Sequence, residues 1–155
     1  MRLSILIIIA FFSAVLSPTH ASNFNLDTGF AADASKYNKT LINAVSKAGT
    51  RLIGVGIHGI IIYSDDNGTN WEQATVPTTK TLTDIDCINK NVCWATGHDA
   101  YILKTTDRGQ NWIIQYQDEI FDAPLLSISM FNENAGIAVG AFAKSLMTTD
   151  GGNTW

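Results

Sequence analysis

The chain has 155 residues, a formal net charge of −4 and an apolar fraction of 46%, which are ordinary values for a globular protein. The acidic balance excludes nucleic acid or an anionic membrane surface as an expected partner, because binding to either depends on Lys and Arg neutralising phosphates. No low-complexity segment or block of like charges indicates disorder.

The amino terminus has the three parts of a secretory signal peptide. Arg2 supplies the positive charge, residues 3–16 form an almost unbroken apolar run, and small residues lead to Ala21. A membrane anchor is the alternative, but the run is shorter than the roughly eighteen residues of a spanning helix and is followed by Pro18. We expect residues 1–21 to be cleaved, which leaves no stable membrane anchor.

Cleavage after Ala21 removes Arg2 and no acidic residue, so the formal net charge changes from −4 to −5. The junction has no cysteine, the residue that a lipid-anchored start requires. The sequence therefore predicts an exported protein, periplasmic or extracellular, or lumenal if the source is photosynthetic. Residues 22–40 form a lead-in segment before the first repeat.

Three segments share one pattern, in which a hydroxyl residue, an Asp, a Gly and a Trp recur at fixed positions. They begin 41 and then 43 residues apart, a period typical of propeller units. The shared residues are Ser64, Asp66, Gly68 and Trp71, then Thr105, Asp107, Gly109 and Trp112, then Thr148, Asp150, Gly152 and Trp155.

The segments between these motifs have the periodicity of short β-strands. In residues 125–130, Leu126, Ile128 and Met130 alternate with serines, which predicts a half-buried strand with these three side chains facing inward. Four short strands in about forty residues match one propeller blade. We predict an all-β fold, a β-propeller of four-stranded blades over residues 41–155.

That length accommodates about three blades, an incomplete ring, because propellers close with roughly four to eight. Two interpretations are open: the chain is a truncated piece whose remaining blades lie in missing sequence, or several copies assemble to complete a ring. An unclosed array would leave an apolar blade face exposed, and we favour truncation because a chain end within a blade suits neither a capping repeat nor an assembly of copies.

The repeated Asp residues have a structural interpretation and a functional one. An Asp accepts hydrogen bonds from backbone N–H groups in a turn, and a Gly two positions later adopts positive φ without strain. The Trp supplies a large apolar surface for packing between blades. Metal binding or acid–base chemistry is the alternative, but a catalytic set is built once from unlike residues, whereas Asp66, Asp107 and Asp150 repeat.

The repeated spelling resembles the Asp-box, or bacterial neuraminidase repeat, and LINAVSKAGTRLIGVGIHGIIIYSDDNGTNW resembles the photosystem II stability and assembly factor family of propellers. The resemblance covers residues 41–155. It implies a lumenal, non-enzymatic chaperone of newly made reaction-centre protein, with arginines on one face in contact with the partner. After cleavage this chain has only Arg51 and Arg108, so an arginine-rich face does not carry over.

The sequence shows no catalytic set and no need for a cofactor or metal. Two arginines cannot form the three-arginine carboxylate site of sialidases. Glycosidases need two carboxylates at a fixed separation, and the spacing of the acids in this sequence selects no such pair. The best exposed acidic candidates are Asp118, Glu119 and Asp122, although an ordinary solvated loop is the preferred interpretation. His58 and His98 lack metal-ligand spacing.

Cys87 and Cys93 are the only cysteines, and they flank a predicted turn between two strands of one blade. In an exported chain such a pair is expected to form a disulfide. Two buried free thiols are the alternative, since Met130 and Gly136 occupy the matching positions of the next repeat.

The favoured function is a non-enzymatic propeller that binds a protein partner as an assembly or stability factor, with binding residues not identifiable from sequence. One alternative is part of a sialidase-like glycoside hydrolase whose catalytic residues lie outside this chain. Another is a carbohydrate-binding module that uses Trp94, Tyr101 or Tyr116 as exposed aromatics.

Overall fold

A computed structural model describes residues 29–33, 40–118, 120 and 123–155. The predicted signal peptide and most of the lead-in segment lie outside the described residues, so their assignments stay predictions. Within the described ranges, no helix has the length and apolar character needed to cross a membrane.

The described chain forms three antiparallel sheets, each an up-and-down meander in which every strand pairs with the next. The prediction of an all-β propeller with four-stranded blades is therefore confirmed for the first two sheets, and the third has three strands. Blade 1 contains β1 (Ile42–Ala48), β2 (Arg51–Gly56), β3 (Ile61–Ser64) and β4 (Glu72–Gln73). Blade 2 contains β5 (Leu82–Cys87), β6 (Cys93–Gly97), β7 (Ile102–Thr105) and β8 (Ile113–Tyr116). Blade 3 contains β9 (Leu125–Met130), β10 (Gly136–Gly140) and β11 (Ser145–Thr148).

The first hairpin of blade 1 is tighter than that of blade 2. Ala48 pairs with Arg51 across a two-residue turn, in which Gly49 has a φ of +69°. In blade 2 the matching pair is Cys87 and Cys93, with five residues between them. The first repeat thus forms a complete four-stranded blade with a shorter first turn.

The inward face of β9 differs from the sequence prediction. Leu125 is fully buried, whereas Leu126 is 55% exposed, because the pairing register shifts between Leu125 and Ser127. An extra residue in one strand of a pair moves the following side chains to the opposite face. The expectation that Leu126 faces inward is therefore wrong, and the inward position belongs to Leu125.

Two apolar joints hold the blades together. The first joint lies between blades 1 and 2 and the second between blades 2 and 3. Blade 2 is covered on both faces, so β6 is buried at every position, with Cys93 and Ala95 in the first joint and Trp94 in the second. This is the pattern of a strand in a sheet that packs on both sides.

The first strands of successive blades are also joined by side-chain hydrogen bonds. Asn43 Nδ2 donates to the carbonyl oxygen of Leu82 at 2.6 Å, and Thr83 Oγ1 donates to that of Leu125 at 2.6 Å. These donors occupy the same position in β1 and β5. The matching residue of β9 is Leu126, whose side chain has no donor.

Candidate functional site

Each Asp-box is a closed network of hydrogen bonds inside one turn. In blade 2 the Asp107 carboxylate accepts the Asn111 backbone N–H at 3.0 Å and the Asn111 side-chain amide at 2.7 Å. The Thr105 hydroxyl donates to the same carboxylate at 2.8 Å and accepts the Gly109 N–H at 3.1 Å. One carboxylate and one hydroxyl therefore fix both ends of the turn.

The other two boxes repeat this geometry with different donors. Asp66 accepts the backbone and side-chain N–H groups of Asn70 at 2.8 and 2.7 Å. Asp150 accepts the Thr154 N–H at 2.9 Å and the Thr154 hydroxyl at 2.6 Å. The residue before the Trp is Asn or Thr because both can donate from backbone and side chain at once.

The hydroxyl that opens each box has a role that the sequence did not indicate. Ser64 and Thr148 each donate to the Asp of their own box and accept the N–H of its Gly, at 2.8 Å from Gly68 and 2.8 Å from Gly152. The sequence feature that could have indicated this role is the constant spacing of four residues between the hydroxyl residue and the glycine in all three boxes. All three box glycines have φ between +82° and +88°, where a side chain is strained.

The electrostatics of the boxes follow from these bonds. Hydrogen bonds from Asn70 lower the pKa of Asp66 to about 2, and those from Thr154 lower the pKa of Asp150 to about 2. For Asp107, burial favours the protonated form, but the Asn111 and Thr105 hydrogen bonds outweigh it and lower the pKa. A carboxylate with a depressed pKa and filled acceptor sites is unsuited to act as a general base near neutral pH.

The three box tryptophans have different surroundings. Trp112 is 3% exposed, lies in the first joint and donates its indole N–H to the Gly109 carbonyl at 3.0 Å. Trp155 is partly buried against the second joint. Trp71 is 41% exposed because no sheet of the described chain covers that face of blade 1. The expected packing between blades therefore does not extend to Trp71.

Arg51 and Arg108, the two arginines among the described residues, converge on Asp65. Arg51 Nε donates to the Asp65 carboxylate at 2.9 Å, and Arg108 Nη2 approaches it at 3.3 Å from the next blade. Arg51 is 4% exposed, and its guanidinium also lies 4.1 Å from the ring centroid of Tyr63. The arginines thus join blades 1 and 2, and only Arg108 is accessible to a partner.

A lysine occupies the corresponding place in the second joint. Lys104 Nζ donates to the Gly151 carbonyl oxygen at 2.7 Å and lies 4.9 Å from the ring centroid of Trp94. In the first joint, Arg51 donates to the carbonyl oxygen of Arg108, the residue that matches Gly151 in the next repeat. In both joints a cation stacked on an aromatic ring holds the Asp-box turn of the following blade.

Cys87 and Cys93 are joined by a disulfide, and they are direct partners in the register of β5 and β6. The turn that they close contains Asn89, whose side chain donates to Glu133 in the matching turn of blade 3 at 2.7 Å. The disulfide therefore closes a hairpin that contacts the next blade.

Of the three acidic candidates of the sequence, Asp118 is the one that lies among the described residues. Asp118 accepts a 2.7 Å hydrogen bond from Lys144, while Glu119 and Asp122 lie outside the described residues. His58 and His98 are exposed, and both are in the turns between the second and third strands of their blades. Within the described ranges, no three His, Cys, Asp or Glu side chains are grouped to hold a metal ion.

The aromatics considered for carbohydrate binding are not all exposed. Trp94 is fully buried and Tyr101 is 8% exposed, since both belong to the joints. Tyr116 is partly buried and lies 5.8 Å from the Lys144 ammonium group. The expectation that Trp94 and Tyr101 are exposed is wrong, because Tyr101 packs in the first joint and Trp94 in the second.

Comparison with known proteins identifies the family. Residues 63–155, which include all three Asp-boxes, match the family model described as Photosynthesis system II assembly factor YCF48. The chain belongs to this family. A comparison with curated proteins found no match.

Two solved structures share the fold of this YCF48-family chain. One, described as YCF48 bound to D1 peptide, superposes with a TM-score of 0.66 at 21% identity, over 75% of this chain and 39% of that chain. The other, YCF48 from Cyanidioschyzon merolae, superposes with a TM-score of 0.65 at 17% identity, over 75% of this chain and 39% of that chain. At these identities the likeness shows the fold alone, and the matched region spans about two-fifths of each solved chain.

Proposed function

We propose that this chain is part of an exported, non-enzymatic propeller that binds a protein segment during assembly of a larger complex. The observation that carries the proposal is membership of the YCF48 family over residues 63–155. A relative with the same fold has been solved with a D1 peptide bound, which makes a peptide segment the favoured class of partner.

The geometry of the repeated acids supports a non-enzymatic role. Asp66, Asp107 and Asp150 each accept hydrogen bonds within their own turn, so these carboxylates have structural functions. Arg51 is likewise buried in a joint. The residues that the repeat holds constant therefore build the scaffold, and partner recognition falls to side chains that differ between blades.

Export is the second part of the proposal. The order of Arg2, an apolar run and small residues before Ala21 supports delivery to the periplasm, the cell exterior or a lumen. A cross-strand disulfide agrees with such a compartment, because disulfides persist in oxidising environments.

Binding of a synthetic D1 peptide by the full-length protein tests the proposal. Fluorescence anisotropy with a labelled peptide is expected to show saturable binding that a scrambled peptide of equal composition does not reproduce. Equal binding of both peptides would reject recognition of a defined segment. Turnover of a sialoside or another glycoside by the same preparation would instead support the hydrolase.

A further inference from the structure

The second joint contains three buried polar atoms that have no hydrogen-bond partner among the described residues. They are the indole nitrogens Nε1 of Trp94 and Trp155 and the side-chain oxygen Oε1 of Gln115. Trp94 itself is fully buried, so its N–H cannot be satisfied by bulk solvent. An unpaired buried polar group is destabilising, and native proteins rarely leave several in one place.

The three atoms converge on one point beside Gly152. A β-carbon at Gly152 would lie 2.8 Å from Gln115 Oε1, 3.0 Å from Trp94 Nε1 and 3.1 Å from Trp155 Nε1. No ligand atom can occupy that position, because a β-carbon is only one carbon–carbon bond from its own Cα. The three distances instead place the polar atoms within about 6 Å of one another, the span that one oxygen atom can bridge with two hydrogen bonds of about 3 Å. Any larger residue at position 152 would crowd these three atoms, so glycine is the residue that fits beside them.

The first joint has no counterpart of this polar group. There the box glycine, Gly109, faces Ile53, the residue that matches Trp94, and Ala74 occupies the position of Gln115. The Trp112 N–H is bonded to the Gly109 carbonyl, as the Trp71 N–H is to Gly68. Among the described residues, the polar set is therefore specific to the second joint and is not a general property of the repeat.

We propose that the second joint binds one buried water molecule between Trp94, Trp155 and Gln115. Water accepts two hydrogen bonds and donates two, so a single molecule can take both indole N–H groups and donate to the amide oxygen. Buried waters in proteins typically make about three hydrogen bonds to groups of this kind. The molecule links blade 2 to the Asp-box of blade 3.

The chemistry of the site favours water over an anion. The Gln115 side chain directs its oxygen, an acceptor, toward the two indole N–H groups, and an anion would be repelled by it. Lys104, whose ammonium group lies 4.9 Å from the Trp94 ring centroid, already donates to the Gly151 carbonyl. An anion would require the Gln115 amide to turn its NH₂ group toward the two indole nitrogens. A bound water and a bound anion therefore require opposite orientations of this amide.

Water–protein NMR on the full chain with ¹⁵N-labelled tryptophan tests the proposal. The indole N–H signals of Trp94 and Trp155 are expected to show cross-peaks to water with the negative sign of a long-lived complex. Trp112 is the internal control: it is also buried, but its N–H is bonded to protein and should show no such cross-peak. Absence of the cross-peaks at Trp94 and Trp155 would overturn the proposal.

Two further measurements test the ligand set and distinguish water from a bound anion. Gln115→Leu removes the Oε1 acceptor and keeps a side chain of similar volume. We expect the cross-peak between the Trp94 indole N–H and water to be lost, while the indole N–H signal of Trp112 keeps its chemical shift. An unchanged Trp94 cross-peak in this variant would reject Gln115 as a ligand. Titration with bromide should leave the indole N–H chemical shifts of Trp94 and Trp155 unchanged. Saturable changes in these shifts would show that the site binds an anion and would overturn the assignment to water.

Discussion

Arg51 Nη1 donates a 2.9 Å hydrogen bond to the backbone carbonyl oxygen of Arg108, in the Asp-box turn of the next blade. The same guanidinium group binds the Asp65 carboxylate through Nε and Nη2. Hydrogen bonding to Asp65, reinforced by its charge, raises the pKa of Arg51 and lowers that of Asp65. The buried guanidinium group of Arg51 thus connects blade 1 to the Asp-box turn of blade 2.

Replacement of Arg51 tests this connection. We expect Arg51→Lys to destabilise the protein by about 1–3 kcal/mol, because one ammonium group cannot reproduce the planar fork that serves Asp65 and the carbonyl together. The Tm measured by calorimetry should fall by roughly 3–10 °C. The control is Arg108→Lys, an exposed residue, which should change the Tm by no more than about a degree or two. Equal effects of the two substitutions would contradict the assignment.

Asp107→Ala should destabilise the fold without affecting ligand binding. The substitution leaves the N–H groups of Gln110 and Asn111 without the acceptor seen in the structure, at a cost of about 1–2 kcal/mol. We expect a lower Tm and a peptide affinity within about twofold of the parent. Gln110→Ala, in the same turn, is the matched control and should leave both quantities unchanged. Lost affinity at an unchanged Tm would show that Asp107 is a binding residue.

Acid should weaken the fold through the Asp-boxes. The pKa values of Asp66 and Asp150 are about 2, below the ordinary value of 3.8, so folding favours their ionised forms. Their stabilisation is fully present above about pH 4 and is lost as the pH falls toward about 2. Urea midpoints measured across this range should fall with pH, and the fall should be smaller in Asp150→Asn. A pH-independent difference between this variant and the parent would contradict the pKa assignment.

Removal of the disulfide should lower stability by about 2 kcal/mol, the amount expected for a closed loop this short. In Cys87→Ala/Cys93→Ala the Tm should therefore fall by roughly 4–8 °C. A thiol reductant should lower the Tm of the parent and leave that of the double variant unchanged. Alkylation and intact-mass measurement with and without reductant report the bond directly. Two alkylated cysteines in the unreduced parent would show free thiols.

Processing after Ala21 remains a prediction from the sequence. Amino-terminal sequencing of the exported protein should begin at Ser22. Ala21→Phe places a large side chain at the cleavage site and should leave an uncleaved precursor at the membrane. Recovery of an exported form that still carries Met1 would reject cleavage and favour the anchor.

The Asp-box pattern was readable from the sequence because its bonds are local. Asp107 and Asn111 lie within five consecutive residues, so their spacing alone indicates that the carboxylate can accept a backbone N–H of the same turn. The inward face of β9 was not readable. The register shift that buries Leu125 instead of Leu126 depends on pairing with β10, and periodicity within one strand does not report it.

The sequence by itself determined the repeat, the strand content and the turns, because each depends on residues close together in the chain. Only the tertiary structure decided what happens between blades: that Trp94 is buried, that Trp71 is not, and that Arg51 and Lys104 hold the following turn. These contacts join residues about 40 or more positions apart. Which face of a strand is covered depends on where the neighbouring sheet packs. The hydrophobic effect is non-directional, so the sequence of one strand does not determine that position.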